Sequence, residues 1–139
     1  MKVLGIDPGT ARMGFGVVQE TGGKFSLIET GCLESPAEAT SGERLHFLYQ
    51  QLRHLFVTHR PETLAIEKLF FSRNVTSAME VGQARGLALL IAAQEGLPIA
   101  EYTPNQIKEA VTGSGRAEKI QVQRIVQQLL ALSAIPMPD

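Results

Sequence analysis

Lys2-Val3-Leu4-Gly5-Ile6-Asp7-Pro8-Gly9-Thr10 is the stretch that decides the fold. Lys2 to Ile6 is a short, nearly continuous apolar run and reads as a strand buried on both faces. Asp7-Pro8-Gly9-Thr10 ends it with turn residues. Working outward, Gly14 to Val18 reads as a second strand, Gly22-Gly23 as a hairpin turn and Phe25 to Leu33 as a third strand. Three antiparallel strands are the natural result. Thr40 and Glu43 then have the spacing of a capping box at a helix start. Leu45, Leu48, Tyr49, Leu52, Leu55 and Phe56 fall on one face of that helix, and Pro61 follows its end. Leu64-Ala65-Ile66 is another short buried strand, closed by Glu67. It arrives through a helical crossover, so it should run parallel to the first strand.

Beyond it, Asn74 to Glu95 reads as a long helix ended by Gly96. Ala78, Gly82 and Gly86 recur every fourth residue there, and such a small-residue stripe lets the sheet or a second subunit approach closely. Leu97 to Glu101 is a fifth strand. Thr103, Pro104 and Gln106 supply an N-cap, a first-turn proline and a capping-box partner for the next helix. Gly113-Ser114-Gly115 breaks it. A last helix runs from about Ala117 to Leu132, with Val122, Ile125, Val126, Leu129 and Leu130 on its buried face. The expected fold is α/β: a five-stranded mixed sheet, three strands antiparallel and then two parallel, flanked by helices.

That order gives the acids their meaning. Asp7 and Glu67 each end a buried strand. On parallel neighbours both emerge at one edge, where ligand sites of open α/β sheets lie. Two carboxylates pressed together repel and tend to hold a proton. A hard divalent cation such as Mg²⁺, which favours oxygen ligands, removes the conflict. Two such ions ~3.5 to 4 Å apart can activate water and stabilise a departing oxygen in phosphodiester cleavage. The competing reading is a solvated strand-end acid or a helix cap. Asp139 is the third acid, and its position after Pro136-Met137-Pro138 equally suits the N-cap of a further helix. Lys108 and Lys119 flank the glycine turn and could together grip a phosphate backbone, although solvated faces are the common fate of such residues. Phe70-Phe71 cannot share one helical face. One packs in the core, and the other packs there too or stacks on an unpaired base. His46, His54 and His59 show no metal-ligand spacing and are expected to face solvent.

The whole chain sets the bounds. Its 139 residues fit one domain, and 44% hydrophobic content suffices for a layered core. No segment approaches the ~18 to 20 apolar residues that span a membrane. The N-terminus lacks the apolar core of a signal peptide. The single cysteine, Cys32, suits a reduced cytoplasmic setting and is expected to be a buried structural thiol. A net charge of −1 argues against a strongly basic polymer binder. It leaves nucleic acid open, because metal reverses the local sign of ligand carboxylates. Lys108, Arg116, Lys119 and Arg124 form a modest basic excess against Glu109 and Glu118.

Gly5-Ile6-Asp7-Pro8-Gly9, Ala65-Ile66-Glu67, Gly82-Gln83-Ala84-Arg85-Gly86 and Ala117-Glu118-Lys119 occur in the order and spacing of the RuvC-type Holliday-junction resolvases. The resemblance spans residues 1–139. It implies a ribonuclease H-like fold and an endonuclease dependent on Mg²⁺, or Mn²⁺ in its place, with two ions per site. It further implies a homodimer, through the Asn74–Glu95 helix, that resolves four-way DNA junctions by paired symmetric nicks in recombination and repair. Asp7, Glu67 and Asp139 then look like metal ligands, and Lys108 and Lys119 like basic residues important for catalysis. Phe70 resembles the aromatic near the junction centre; Arg73 and Arg116 join Phe70, Lys108 and Lys119 as DNA contacts. The RuvA–RuvB branch-migration machinery is the implied partner. The family pattern continues past Asp139 into a helix with another acid three residues on. The chain is accordingly expected to be a single nuclease domain over 1–139 lacking its C-terminal helix. Three other readings are a junction-binding module without catalysis, a related nuclease of structured RNA, and an actin-like phosphotransferase. The last requires a second glycine-rich phosphate loop, which the sequence does not contain.

Overall fold

The structure, a computed structural model, describes residues 1–68, 75–134 and 136, the side chains of Val75 and Thr76 excepted. Its elements are β1 (Lys2–Asp7), β2 (Arg12–Thr21), β3 (Lys24–Glu34), α1 (Ser41–His59), β4 (Thr63–Glu67), α2 (Val75–Gln94), β5 (Ile99–Tyr102), α3 (Pro104–Thr112) and α4 (Lys119–Leu129). The strands form one five-stranded sheet in the order β3-β2-β1-β4-β5. β1, β2 and β3 pair antiparallel, while β4 runs parallel to β1 and β5 parallel to β4. This is the mixed sheet expected from the element order. Gly22 and Gly23 turn β2 into β3 with positive φ of 57° and 80°, the backbone a two-residue hairpin needs.

Side chains alternate across a strand, so the sheet has two unlike faces. Leu4 and Ile6 of β1, Met13 and Val17 of β2, and Leu64 and Ile66 of β4 are buried on one face. Leu48, Leu52, Leu55 and Phe56 of α1 meet them there, with Ala84, Ala88, Ile91 and Ala92 of α2. The α2 backbone approaches α1 more closely than it approaches any strand. Thr40 caps α1 as expected, its Oγ1 accepting from the Glu43 N–H at 3.3 Å. The full capping box at Thr103 and Gln106 starts α3.

Several expectations are corrected. β1 is buried on one face only: Val3 and Gly5 are half-buried and Asp7 is exposed. α3 and α4 cover that second face incompletely, and neither helix has a buried residue. α4 is shorter than expected, because Leu130 is its C-cap and Ala131 turns left-handed at φ 52°. Leu129 is exposed and the other apolar residues of its inner face are half-buried. β5 begins at Ile99 rather than Leu97, since the Leu97 N–H is taken by Ala92 O in the turn that closes α2. Cys32 is exposed: it lies opposite Gly14 on the thinly covered face of an edge strand. His46 and His54 face solvent, but the His59 side chain is only 12% exposed and its Nε2 bonds Glu29 of β3.

Candidate active site

Register builds the site. β1 and β4 pair as Gly5 with Ala65 and Ile6 with Ile66. One residue further, the strands end in Asp7 and Glu67, side by side on the same face. The row continues outward on both sides. Asp7 lies opposite Gly14, which lies opposite Cys32; Glu67 lies opposite Tyr102. A Cβ added at Gly14 would touch the Asp7 Cβ at 3.6 Å, so glycine there leaves the aspartate room. Gly9 holds the turn that follows β1. A Cβ there would stand 2.2 Å from the Arg12 carbonyl oxygen, so the turn accepts no side chain.

The two acids sit in an apolar cleft of about 490 Å³. Gly5, Gly14, Gly16 and Ala65 leave its floor bare, and Ile107 of α3 and Val126 of α4 stand over it with Tyr102. Burial in these surroundings raises the Glu67 carboxyl above the ordinary carboxylate value. The charge of Asp7 pushes in the same direction, and so does the hydrogen bond between the two groups. Two carboxylates crowded in this way are the donor set a hard divalent cation satisfies, by placing positive charge between them. Among the described residues no cluster of three or more His, Cys, Asp or Glu forms. Asp139, the expected third acid, lies outside the described residues, as do Phe70 and Arg73.

The basic residues ride on the elements beside the cleft. Lys108 is half-buried on α3, next to the cleft residue Ile107. Lys119 opens α4, and Arg116 lies in the turn before it, both exposed. Neither lysine forms an ion pair with a described residue. None of the three lines the cleft. Tyr102 lies one residue beyond the expected fifth strand Leu97–Glu101, so the sequence does not announce it as a site residue. The closing turn at Gly96-Leu97 was the available signal. The bare floor was also legible in principle, in the alternating Gly14-Phe15-Gly16 of β2.

The chain is similar to known proteins in sequence and fold. The family model for "Crossover junction endodeoxyribonuclease RuvC" matches residues 3–139. A protein of that name from Pelotomaculum thermopropionicum is 49% identical over 139 residues, covering 100% of this chain and 85% of the relative. One from Roseiflexus sp. is 52% identical over 138 residues, covering 99% and 82%. Among solved structures, Thermus thermophilus RuvC in complex with a Holliday junction substrate superposes with a TM-score of 0.94 at 34% identity, covering 100% of this chain and 85% of that one.

Proposed function

The chain belongs to the crossover junction endodeoxyribonuclease RuvC family, and from that premise we propose that it resolves Holliday junctions by metal-dependent hydrolysis at the Asp7–Glu67 edge. The observation that carries the reading is the placement of these two carboxylates, at adjacent ends of parallel strands in one cleft. Asp139 is the proposed third ligand. Mg²⁺, with Mn²⁺ able to replace it, is the proposed cofactor, two ions to a site. Bound there, the cations would supply an activated water and neutralise charge at the phosphodiester. The chain's own residues do the rest. Glu67 and Asp7 would hold the cations from adjoining positions at the strand ends. Lys108, Arg116 and Lys119, with Phe70 and Arg73, bind the DNA; the cations among them add phosphate affinity that falls with salt.

The proposed unit is a homodimer through α2, since a two-fold dimer suits a junction of near two-fold symmetry. α2 turns Ala84, Ala88, Ile91 and Ala92 inward and leaves Met79, Gly86 and Leu90 outside. Nothing lies within 4 Å of a Cβ added at Gly86, so Gly86→Leu should leave the protomer folded and disturb only a second copy. Cooperation with the RuvA–RuvB complex rests on the family resemblance. No described helix is long and apolar enough to cross a membrane.

Synthetic four-way junctions of DNA and of RNA, incubated side by side with and without Mg²⁺, test the reading. Paired symmetric nicks in the DNA junction alone, and only with the cation, are expected. Cutting without a divalent cation, or equal cutting of RNA, would overturn it.

A further inference from the structure

The strand end that presents Glu67 is fastened from the opposite face of the sheet. β5 has four residues, none of them buried, and among the described strands it pairs with β4 alone. A short exposed edge strand opens readily unless another group holds it. Arg85 of α2 is such a group: its Nη2 donates to Glu101 Oε1 of β5 at 2.5 Å. The Arg85 side chain is only 17% exposed. Its Nε is sealed from solvent without a hydrogen-bond partner among the described residues, an arrangement that costs stability. The fold therefore keeps the guanidinium at this spot against a local penalty.

What the pair holds is one residue from the acids. Glu101 lies opposite Ile66, and the next residue, Tyr102, lies opposite Glu67. The Lys68 N–H donates to Tyr102 O at 2.8 Å, a rung just beyond Glu67. We propose that Arg85 is a positioning residue for cleavage: by holding Glu101 it fixes this rung, and with it the angle at which Glu67 meets Asp7. The inference rests on the reading of Asp7 and Glu67 as the cleavage centre. Arg85 lies under the face of the sheet opposite to the two acids.

Two readouts test it on Arg85→Ala, Arg85→Lys, Glu101→Gln and the exchanged pair Arg85→Glu with Glu101→Arg. The first is amide hydrogen exchange in the metal-free protein. In Arg85→Ala the Lys68 amide should exchange about tenfold faster while the β1–β2 ladder keeps its protection. The second is single-turnover nicking of a bound DNA junction with Mg²⁺. It should fall ~10 to 100-fold, the range for losing a group that orients a ligand, with junction affinity unchanged. Arg85→Lys should recover part of both signals and the exchanged pair more. Parental Lys68 exchange and parental nicking in Arg85→Ala would overturn the proposal. So would a loss of protection that spreads evenly over the sheet, the mark of a merely structural role. Should Arg85→Ala fail to fold, Glu101→Gln keeps the side-chain shape and carries both readouts. If Glu67→Gln cuts as fast as the parent, the reading of the site fails, while Lys68 exchange still decides whether the clamp exists.

Discussion

The two faces of the sheet divide the work between them. One face packs Leu4, Ile6, Met13, Val17, Leu64 and Ile66 against α1 and α2, all of them buried. The other presents Gly5, Asp7, Gly14, Gly16, Ala65 and Glu67 to a cleft that α3 and α4 only partly roof. The residues of each pair of lists alternate along the same strands. β1 is thus a core strand when read at its even positions and a site strand when read at its odd ones. Stability resides on the closed face. The open face carries crowded carboxylates that the fold tolerates because the closed face holds the strands in register.

That contrast can be broken in graded steps. Leu64→Ala, at a fully buried position of the closed face, should cost about 2–5 kcal/mol in denaturant unfolding. The fraction that stays folded should still cut junctions. Gly9→Ala drives a Cβ toward the Arg12 carbonyl and should cost about 1–3 kcal/mol. It should also slow nicking, because the displaced turn begins at Asp7. Val126→Ala removes a half-buried side chain from the roof of the cleft and should cost about 1 kcal/mol or less by the same unfolding assay. A cost at Val126 equal to that at Leu64 would erase the distinction between the faces.

The smallest effect is the most specific. The folded protein holds the Glu67 proton more tightly than the unfolded chain does, because burial and Asp7 raise its pKa. At low pH both states are protonated and the group contributes nothing. As pH rises from the unfolded value through the raised folded value, the metal-free protein loses stability. Glu67→Gln should remove this loss and be the more stable protein near neutral pH. Mg²⁺ should raise the melting temperature of the parent at neutral pH and leave that of Glu67→Gln nearly unchanged. A parent whose metal-free stability is flat across this range would remove the crowding of the acids from the argument.

Much of this was legible in the residues, for reasons that differ from place to place. The Lys2–Ile6 run and the Leu64–Ile66 run are short, apolar and bounded by turn residues, and the helix between them forces parallel pairing. Strand order alone therefore brought Asp7 and Glu67 to one edge. Thr40 and Thr103 announced their helices because a hydroxyl cap acts within one turn. Features that depend on distant packing were harder to read. Cys32 was expected inside, yet whether a β3 residue is covered depends on what lies over the far face, which local pattern does not reveal. His59 lies near the polar side of α1, which suggests solvent, while its partner Glu29 lies 30 residues away. α4 was drawn too long because apolar spacing persists through Leu130 and Leu132, whereas the backbone turns at Ala131. The bond between Arg85 and Glu101 had no local signature at all, since it joins a helix to a strand through a side chain under the sheet.

The central claim is that the paired carboxylates are the cleavage centre, and Glu67→Gln tests it most directly. The amide keeps the shape of the side chain and removes the charge that would hold a cation. A labelled four-way DNA junction should be bound first, then given Mg²⁺, and nicks counted in a single turnover. The parent should make paired symmetric nicks. Glu67→Gln should bind the junction with nearly the parental affinity and cut it more slowly by a factor beyond the ~100 expected for losing an outer-shell partner. Cutting at the parental rate would contradict the assignment.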